Sequence, residues 1–386
     1  MEALKLGLIG CGSIAGAHVA AMRELWENER RAIEVVAVCD VDEQRAQERA
    51  QELASFQGTP EVYTDVERML KRVKAIEAVD ICTQHVEHHT IAIACLQEGV
   101  DVTIEKPLAI TLRAGRKILE AARDGQRILA VAENYRRSLE ERARNWAVRT
   151  GRIGEPRNFY WQQASHAMGK WAWRNFKGIA GGGWVLDGGV HHADLFRYHL
   201  GTEAQQVFAT VRQFEPYRYD DPQGRTGAWN VDVEDATFAQ VHFDNNVVVS
   251  WSWQGSAPGT GFDARVLYGS DGCLHWHSGL WGRDESNLDN ETLVREFMES
   301  MSADAKEELF PGGVTSAIAT ELYEFALAVR DRRVPEVDGL EGYKAEALCM
   351  AVFESAHANR PVSLREIERL ELEGYQQEIN EALGLA

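Results

Sequence analysis

Leu4-Lys5-Leu6-Gly7-Leu8-Ile9-Gly10-Cys11-Gly12-Ser13-Ile14-Ala15 is the stretch whose reading decides the fold. Its first six residues read as a short buried strand, and the two glycines close it. From Ser13 to about Trp26 the apolar residues recur at helical spacing. Gly10 permits a tight turn, Gly12 lets backbone approach a pyrophosphate, and Ala15 is small enough for close helix–strand packing. The helix N-terminus at Ser13 and Ile14 offers N–H donors and positive dipole to phosphate.

The next elements supply the context that such a loop needs. Ile33 to Cys39 (IEVVAVC) is β-branched and apolar on both faces, as in a buried parallel strand. It ends at Asp40, whose carboxylate can accept hydrogen bonds from ribose hydroxyls. Asp40 lies 30 residues after Gly10, and the polar insertion Glu27–Arg31 accounts for the excess over the usual roughly 20. Val41 follows, not Arg, and a carboxylate repels a 2′-phosphate, so NAD is expected over NADP. Further strands are predicted at Val62-Tyr63, Ala78–Cys82, Val102–Ile104 and Ile128–Ala132. Helices are predicted at Gln44–Phe56, Val66–Val73, Thr90–Glu98 and Thr111–Arg123. This alternation implies a doubly wound parallel sheet.

After Glu133 the texture changes, and ten of the eleven tryptophans lie beyond residue 145. Longer, alternating strands are predicted at Arg157–Gln162, Gln206–Gln213, Ala236–Phe243, Val247–Trp253 and Arg265–Gly269, with a turn at Asp244-Asn245-Asn246. Helices are predicted around Glu140–Thr150, Trp184–Leu200 and Ser316–Arg330, and a charged helical stretch at Leu364–Leu385. The expected organisation is α/β: a doubly wound dinucleotide-binding domain over 1–132, then a second domain with an antiparallel sheet and helices over 133–386.

A net charge of -19 and a pI near 5.1 argue against nucleic-acid binding, which needs Lys and Arg to neutralise phosphates. The six cysteines form no CxxC pair and sit in apolar segments, which points to a reduced, cytoplasmic protein. No stretch reads as a signal peptide or a bilayer span, so no membrane partner is expected.

Two further motifs carry chemistry. Glu105-Lys106-Pro107 follows the strand Val102–Ile104. A lysine at the carboxyl end of a parallel strand presents its amine to the crevice where such sheets bind ligands. The second motif runs from Ala180 to Asp194 (AGGGWVLDGGVHHAD). If helical from Trp184, it places Asp187, His191 and Asp194 on one face, where a histidine between carboxylates can exchange a proton near neutral pH. The competing reading is a solvated polar face with a structural Asp–His pair. Its many glycines suggest that something approaches the backbone closely. His192 points elsewhere and reads as structural.

Taken together the chain resembles the Gfo/Idh/MocA oxidoreductases (glucose–fructose oxidoreductase, inositol dehydrogenase and rhizopine-catabolism proteins). The resemblance rests on GLIGCGSIA at 7–15, VDICTQHVEHH at 79–89, EKPLA at 105–109, AENYRR at 132–137, GRIGEPRNF at 151–159 and the GGG…DxGxHxxD run at 181–194. It implies an N-terminal Rossmann domain followed by an α/β domain with an open, largely antiparallel sheet, and hydride transfer between NAD(P) and a secondary hydroxyl or ketone of a sugar, glycoside or cyclitol. It makes Lys106, Asp187 and His191 the catalytic residues, with Lys106 and His191 as rival bases. It also implies cofactor contacts from Thr83, His85, His88, Glu105, Lys106 and Asn134 beside Gly10, Gly12, Ser13, Ile14 and Asp40. Where relatives carry Thr-Pro-Asn after the fourth strand, this chain has Thr83-Gln84-His85. The Lys106-Pro107 bond is expected to be cis, and the second-domain sheet to form a homodimer or homotetramer.

Tyr135, Trp171, Trp173 and Trp184 are candidates for packing a sugar's apolar face, and Arg174 and Lys170 for binding its hydroxyls; for each a plain core or surface role competes. Substrate contacts are also expected from Lys106, Asp187 and His191. Three rival functions stand beside this one. A redox-neutral enzyme would hold NAD tightly and cleave or eliminate a glycoside. A non-catalytic regulator would sense a sugar or dinucleotide. A metal enzyme would use the several histidines, but their spacing is not diagnostic and no metal is expected.

Overall fold

Six strands form a parallel sheet in the order β3-β2-β1-β4-β5-β6 in the computed structural model, which describes residues 2–385. They are β1 (Leu4–Ile9), β2 (Ile33–Cys39), β3 (Glu61–Tyr63), β4 (Ala78–Ile81), β5 (Asp101–Glu105) and β6 (Leu129–Ala132). The helices between them are α1 (Ser13–Glu27), α2 (Glu43–Ala54), α3 (Val66–Arg72), α4 (His88–Gln97) and α5 (Leu112–Gly125). Strands β4, β5 and β6 are buried along their whole length, and apart from the buried polar residues of β4 and β5 they are apolar on both faces. Asp80 in β4 is fully buried, and a carboxylate there demands a partner.

The chain divides into two units that are not contiguous in sequence. The first takes residues up to Ile110, Ala114–Ser138 and also Met301–Tyr343; the second takes Thr111–Arg113, Leu139–Ser300 and Lys344 onward. The main passage into the second unit comes after Ser138, close to the expected boundary at 132, but the segment 301–343 returns to the first unit. Its helix Ala317–Asp331 puts Leu322, Phe325, Ala326 and Val329 into one core with Ala15, Val19, Met22 and Leu25 of α1. An amphipathic helix with that apolar face needs such a partner to be stable.

In the second unit, nine strands form a sheet in the order β16-β15-β14-β13-β7-β12-β11-β8-β17. The main ones are β7 (Pro156–Ala164), β8 (Ala204–Arg212), β11 (Ala236–Phe243), β12 (Val248–Gln254) and β13 (Phe262–Gly269). Short strands β14 (Gly272–His275), β15 (Gly279–Gly282) and β16 (Asn287–Leu288) extend one edge, and β17 (Val362–Ser363) caps the other. The pairs β9 (Tyr217–Arg218) and β10 (Trp229–Asn230) form a separate ribbon. Only β7 and β12 pair in parallel; every other neighbour is antiparallel. One face of the sheet carries Phe159, Trp161 and Trp251, packed with Phe196 and Trp276 at ring separations of 5.0 to 5.7 Å. Such pairs each add about 1 kcal/mol beyond their buried area. The other face exposes Tyr160, Phe208, Phe238 and Tyr268.

Three expectations of local structure change. The single helix predicted over Trp184–Leu200 is two, α8 (Trp184–Asp187) and α9 (Gly189–Leu200), parted at Gly188, against which the Trp184 ring lies. The single helical stretch at 364–385 is two short helices, Leu364–Glu368 and Gln377–Ala382, because the N–H groups of Tyr375 and Gln376 turn to the Glu354 carboxylate. A 20-residue helix, Gly339–Ala358, was not expected at all. From Gly342 to Ser355 nearly every residue is buried, so it shows no amphipathic period.

Candidate active site

In the first unit the loop between β1 and α1 contains two glycines that are needed for different reasons. Gly10 has φ +84, and a Cβ there would lie 2.6 Å from the Cys82 carbonyl oxygen. The fold itself requires glycine at that position. Gly12 has φ -74, and apart from its chain neighbours nothing lies within 4 Å of where its Cβ would be. It caps α1 without a side-chain hydrogen bond, and no acidic residue occupies the first turn. Open space therefore faces a helix N-terminus whose first N–H groups are not capped by a side chain, at Ser13 and Ile14, and a dinucleotide pyrophosphate fits there.

Asp40, at the end of β2, borders the same loop. Its Oδ2 accepts a hydrogen bond from the Cys11 N–H at 2.7 Å, and its Oδ1 accepts one from the Asp42 N–H at 2.9 Å. A carboxylate offers about four acceptor sites, so two such bonds leave capacity for ribose hydroxyls. Sequence reasoning missed Arg49, whose guanidinium donates to the Gly12 carbonyl at 3.1 Å while paired with Glu52. The signal was absent because Arg49 lies on α2, remote in sequence from the loop it braces.

The ends of β4, β5 and β6 carry the other expected cofactor residues. Thr83 follows β4, with its methyl group 3.0 Å from the position a Gly10 Cβ would take. His85 is buried in the single turn after it. His88, expected as a cofactor contact, is fully buried at the start of α4, and its Nδ1 donates to the Pro107 carbonyl at 2.9 Å. Burial, followed by the neighbouring His85, pushes its pKa down to about 3, so the ring is neutral. Glu105 is buried, and its carboxylate lies 3.1 Å from Nε2 of His18, a residue that the sequence reading passed over. Lys106 follows, half-buried, and its bond to Pro107 is cis as expected.

Asn134 and Tyr135 stand at the single turn after β6. The two arginines that follow are anchors: Arg137 reaches Glu324 and Glu336, both at 3.3 Å, and Arg136 reaches Glu341 at 3.5 Å. All three glutamates belong to the 301–343 segment. Buried charges of this kind persist only when paired. Tyr135 itself is 45% exposed.

In the second unit Asp187, His191 and Asp194 are all buried, so the reading as a solvated helix face is wrong. Gly188 keeps right-handed helical angles between α8 and α9, which preserves the expected one-sided spacing. Arg174 donates through Nε to Asp187 at 2.8 Å, and its guanidinium lies 4.3 Å from the Trp173 ring and 5.4 Å from the Trp171 ring. Trp173, Arg174 and Asp187 thus form one cluster. Trp184 is a packing residue: it stacks on Trp253 at 4.7 Å, nearly coplanar. Lys170 pairs with Asp220 at 2.9 Å. His192 is wedged against Trp161 and Trp184, and burial holds its pKa well below the ordinary value, in line with a structural role.

The glycine run was expected to admit something close to the backbone. What approaches is the protein itself. A Cβ at Gly182 would meet the Phe353 ring at 2.5 Å, one at Gly183 the Glu234 carboxylate at 2.9 Å, and one at Gly189 the Trp251 ring at 2.8 Å. Glu234, which the sequence did not flag, accepts hydrogen bonds from Gly183 and Val185 N–H at 2.7 and 2.9 Å. It holds the start of the segment that carries Asp187 and His191.

Two family models match the chain. One, described as an oxidoreductase family with an NAD-binding Rossmann fold, covers residues 4–133; the other, the GFO/IDH/MocA C-terminal domain, covers 142–275. The chain is 25% identical over 368 residues to D-glucoside 3-dehydrogenase of Escherichia coli, spanning 94% of this chain and 97% of that one. It is 25% identical to myo-inositol 2-dehydrogenase of Thermotoga maritima, spanning 94% and 99%. Among solved structures, an oxidoreductase domain protein from Kribbella flavida superposes with a TM-score of 0.78 at 23% identity, over 94% of this chain and 100% of that chain. Levoglucosan dehydrogenase, solved with NADH and L-sorbose, gives 0.75 at 24% identity, over 94% and 99%.

Proposed function

The chain belongs to the Gfo/Idh/MocA family of oxidoreductases, and from that premise we propose that it interconverts a secondary alcohol and a ketone on a sugar, glycoside or cyclitol. A nicotinamide dinucleotide supplies the hydride donor or acceptor when bound. The observation that carries this reading is the open space at Gly12 beneath the uncapped N-terminus of α1, because Gly12 needs to be glycine neither for its φ nor for its packing. NAD is the proposed cofactor. The Asp40 carboxylate beside that space suits ribose hydroxyls and repels a 2′-phosphate. Gly10, Gly12, Ser13, Ile14, Asp40, Thr83, His85 and Asn134 are the proposed cofactor residues, with Glu105 and His88 holding Lys106 from either side.

Lys106 and His191 are the proposed acid–base groups for the substrate hydroxyl, and Asp187 the carboxylate that orients the second. Tyr135, Trp173 and Arg174 are the proposed substrate contacts. The relatives' names speak for net oxidation or reduction and against the redox-neutral alternative, since they are dehydrogenases and reductases acting on glucosides, anhydrosugars and inositols. The exposed sheet face with Tyr160, Phe208, Phe238 and Tyr268 supports association with a second copy as a homodimer or homotetramer. Six cysteines with no disulfide among the described residues support the proposed cytoplasmic setting.

The test is incubation with NAD and a panel of sugars, glycosides and cyclitols, following NADH and product masses together. A ketone product with stoichiometric NADH is expected. Glycoside cleavage without NADH would replace this reading by the redox-neutral one, and no turnover of any member with either nicotinamide cofactor would sink it. With an active substrate in hand, Lys106→Ala should bind NAD within about threefold of the parent and lose about 100-fold or more in kcat.

A further inference from the structure

His18 stands in the second turn of α1, fully buried, between two carboxylates. Its Nδ1 lies 2.7 Å from Asp80 Oδ2 on β4, and its Nε2 lies 3.1 Å from Glu105 Oε1 at the end of β5. A neutral imidazole has one N–H, so it can donate to only one of these groups. Two ionised carboxylates on two ring nitrogens call for the doubly protonated ring. Burial alone would strip the proton, but the Asp80 charge prevails and holds the pKa well above the ordinary value.

The other groups facing the ring agree with this state. The Cys82 thiol lies 3.7 Å from Nδ1 and 3.6 Å from Asp80 Oδ1. Burial, then the Asp80 charge, push that thiol up, so it stays protonated and donates weakly to Asp80. Glu321, on the helix Ala317–Asp331, is the next carboxyl on this side; burial raises its pKa well above the ordinary value, with Arg137 opposing. His18, Asp80 and Cys82 do place three ligand atoms within 4.8 Å of one another. Both ring nitrogens are already taken by hydrogen bonds to carboxylates, which leaves no lone pair for a metal ion.

We propose that His18 is a positioning residue for Lys106. It ties the carboxylate of the residue immediately before Lys106 to α1 and β4, just as His88 ties the carbonyl of the residue immediately after it. The lysine is thus bracketed by two histidines of opposite character, one an imidazolium and one neutral. With the Glu105 side chain and the Pro107 carbonyl both held, the backbone from which the Lys106 amine extends is fixed on both sides. One of these holds comes from α1, the helix that the glycine loop opens, so the backbone around Lys106 and the loop share one buried network.

This inference rests on Lys106 being the acid–base group proposed above, and the experiment separates the two. In His18→Gln, one side-chain amide replaces two charged donors. The expected result is a kcat lower by about 10- to 100-fold, with NAD affinity by calorimetry within about threefold of the parent. A readout free of turnover accompanies it. Lysines are labelled as ¹³C-dimethylamines, the Lys106 signal is assigned by its loss in Lys106→Ala, and its titration midpoint and line width are compared in the two backgrounds. Ring ¹⁵N signals of the unmutated protein should show His18 protonated at both nitrogens at pH 7. A neutral ring there, or an unchanged Lys106 signal and unchanged kcat in His18→Gln, overturns the proposal. If His18→Gln does not fold, Asp80→Asn, which keeps an acceptor but removes the charge that holds the ring protonated, must reproduce the kcat loss and the change in the Lys106 signal; failure to do so also overturns it. If Lys106→Ala itself turns over normally, the functional reading of Lys106 fails. If it is inactive while His18→Gln is not, the positioning role alone fails.

Discussion

Arg174 Nε lies 2.8 Å from Asp187 Oδ1, and this pair joins a residue proposed to meet the substrate to the carboxylate proposed to orient His191. Asp187 is 4% exposed, while the Arg174 side chain is 26% exposed. A guanidinium of that kind can keep one edge on the carboxylate and offer another outward. Arg174→Met should therefore act twice. It should lower stability by about 1–2 kcal/mol by taking a charged partner from a buried carboxylate, and it should raise KM together with lowering kcat. Denaturant unfolding and steady-state kinetics read the two effects. Unchanged kinetics alongside lost stability would make the pair purely structural.

Gly10 and Gly12 should separate folding from binding. Gly10→Ala forces an L-residue into φ +84 and a Cβ onto the Cys82 carbonyl, so it should cost about 2 kcal/mol or more in stability. Gly12→Ala meets no atom within 4 Å and should leave stability within about 0.5 kcal/mol while weakening NAD binding at least about tenfold. Thermal melts with and without NAD distinguish them. Equal NAD affinity in Gly12→Ala would remove the loop from the cofactor site.

Asp40→Asn keeps a carbonyl acceptor for the Cys11 or Asp42 N–H but removes the charge. The ratio of NAD to NADP affinity should fall by about tenfold, since one lost charge opposition near a 2′-phosphate is worth about 1.4 kcal/mol. A ratio that does not move would take Asp40 away from the ribose.

His88 gives a pH dependence whose sign is fixed by its burial. Its folded pKa of about 3 lies below the ordinary 6.5, so the folded chain disfavours its proton. The associated stability is complete above pH 6.5 and is lost as pH falls toward 3, at about 1.4 kcal/mol per unit. In His88→Asn the amide can still donate to the Pro107 carbonyl, without a titrating ring. The variant should be less stable than the parent at pH 7, and the gap should narrow by about 2 kcal/mol by pH 5. Parallel stability curves between those pH values would show that His88 takes up no proton on unfolding there.

Much of the first unit was legible because its information is local. The alternation from Leu4 to Ala132, the turn at Gly10 and the carboxylate at Asp40 all follow from residues within one strand–helix step. The second unit's strands were legible by their two-residue period, as in Ala236–Phe243, where buried and exposed positions alternate from Phe238 onward. The helix Gly339–Ala358 was illegible because burial on all sides leaves no period to read. The glycines at 182, 183 and 189 were read in the wrong sense, since sequence cannot tell a ligand's approach from that of Phe353, Glu234 or Trp251.

By itself, then, the sequence determined the kind of site: a glycine loop for a dinucleotide, a lysine at a strand end and an Asp–His spacing on a helix. Tertiary structure decided what holds each of these in place. Asp80, Glu105 and His18 are separated by 62 and 87 residues along the chain, Glu234 lies 51 residues from the Gly183 it binds, and Arg137 meets Glu324 across 187. A buried charge must find its partner wherever the fold brings one, and no local pattern encodes that distance. The lysine at the strand end could be read from three letters; the two histidines that hold the residues on either side of it could be found only by folding the chain.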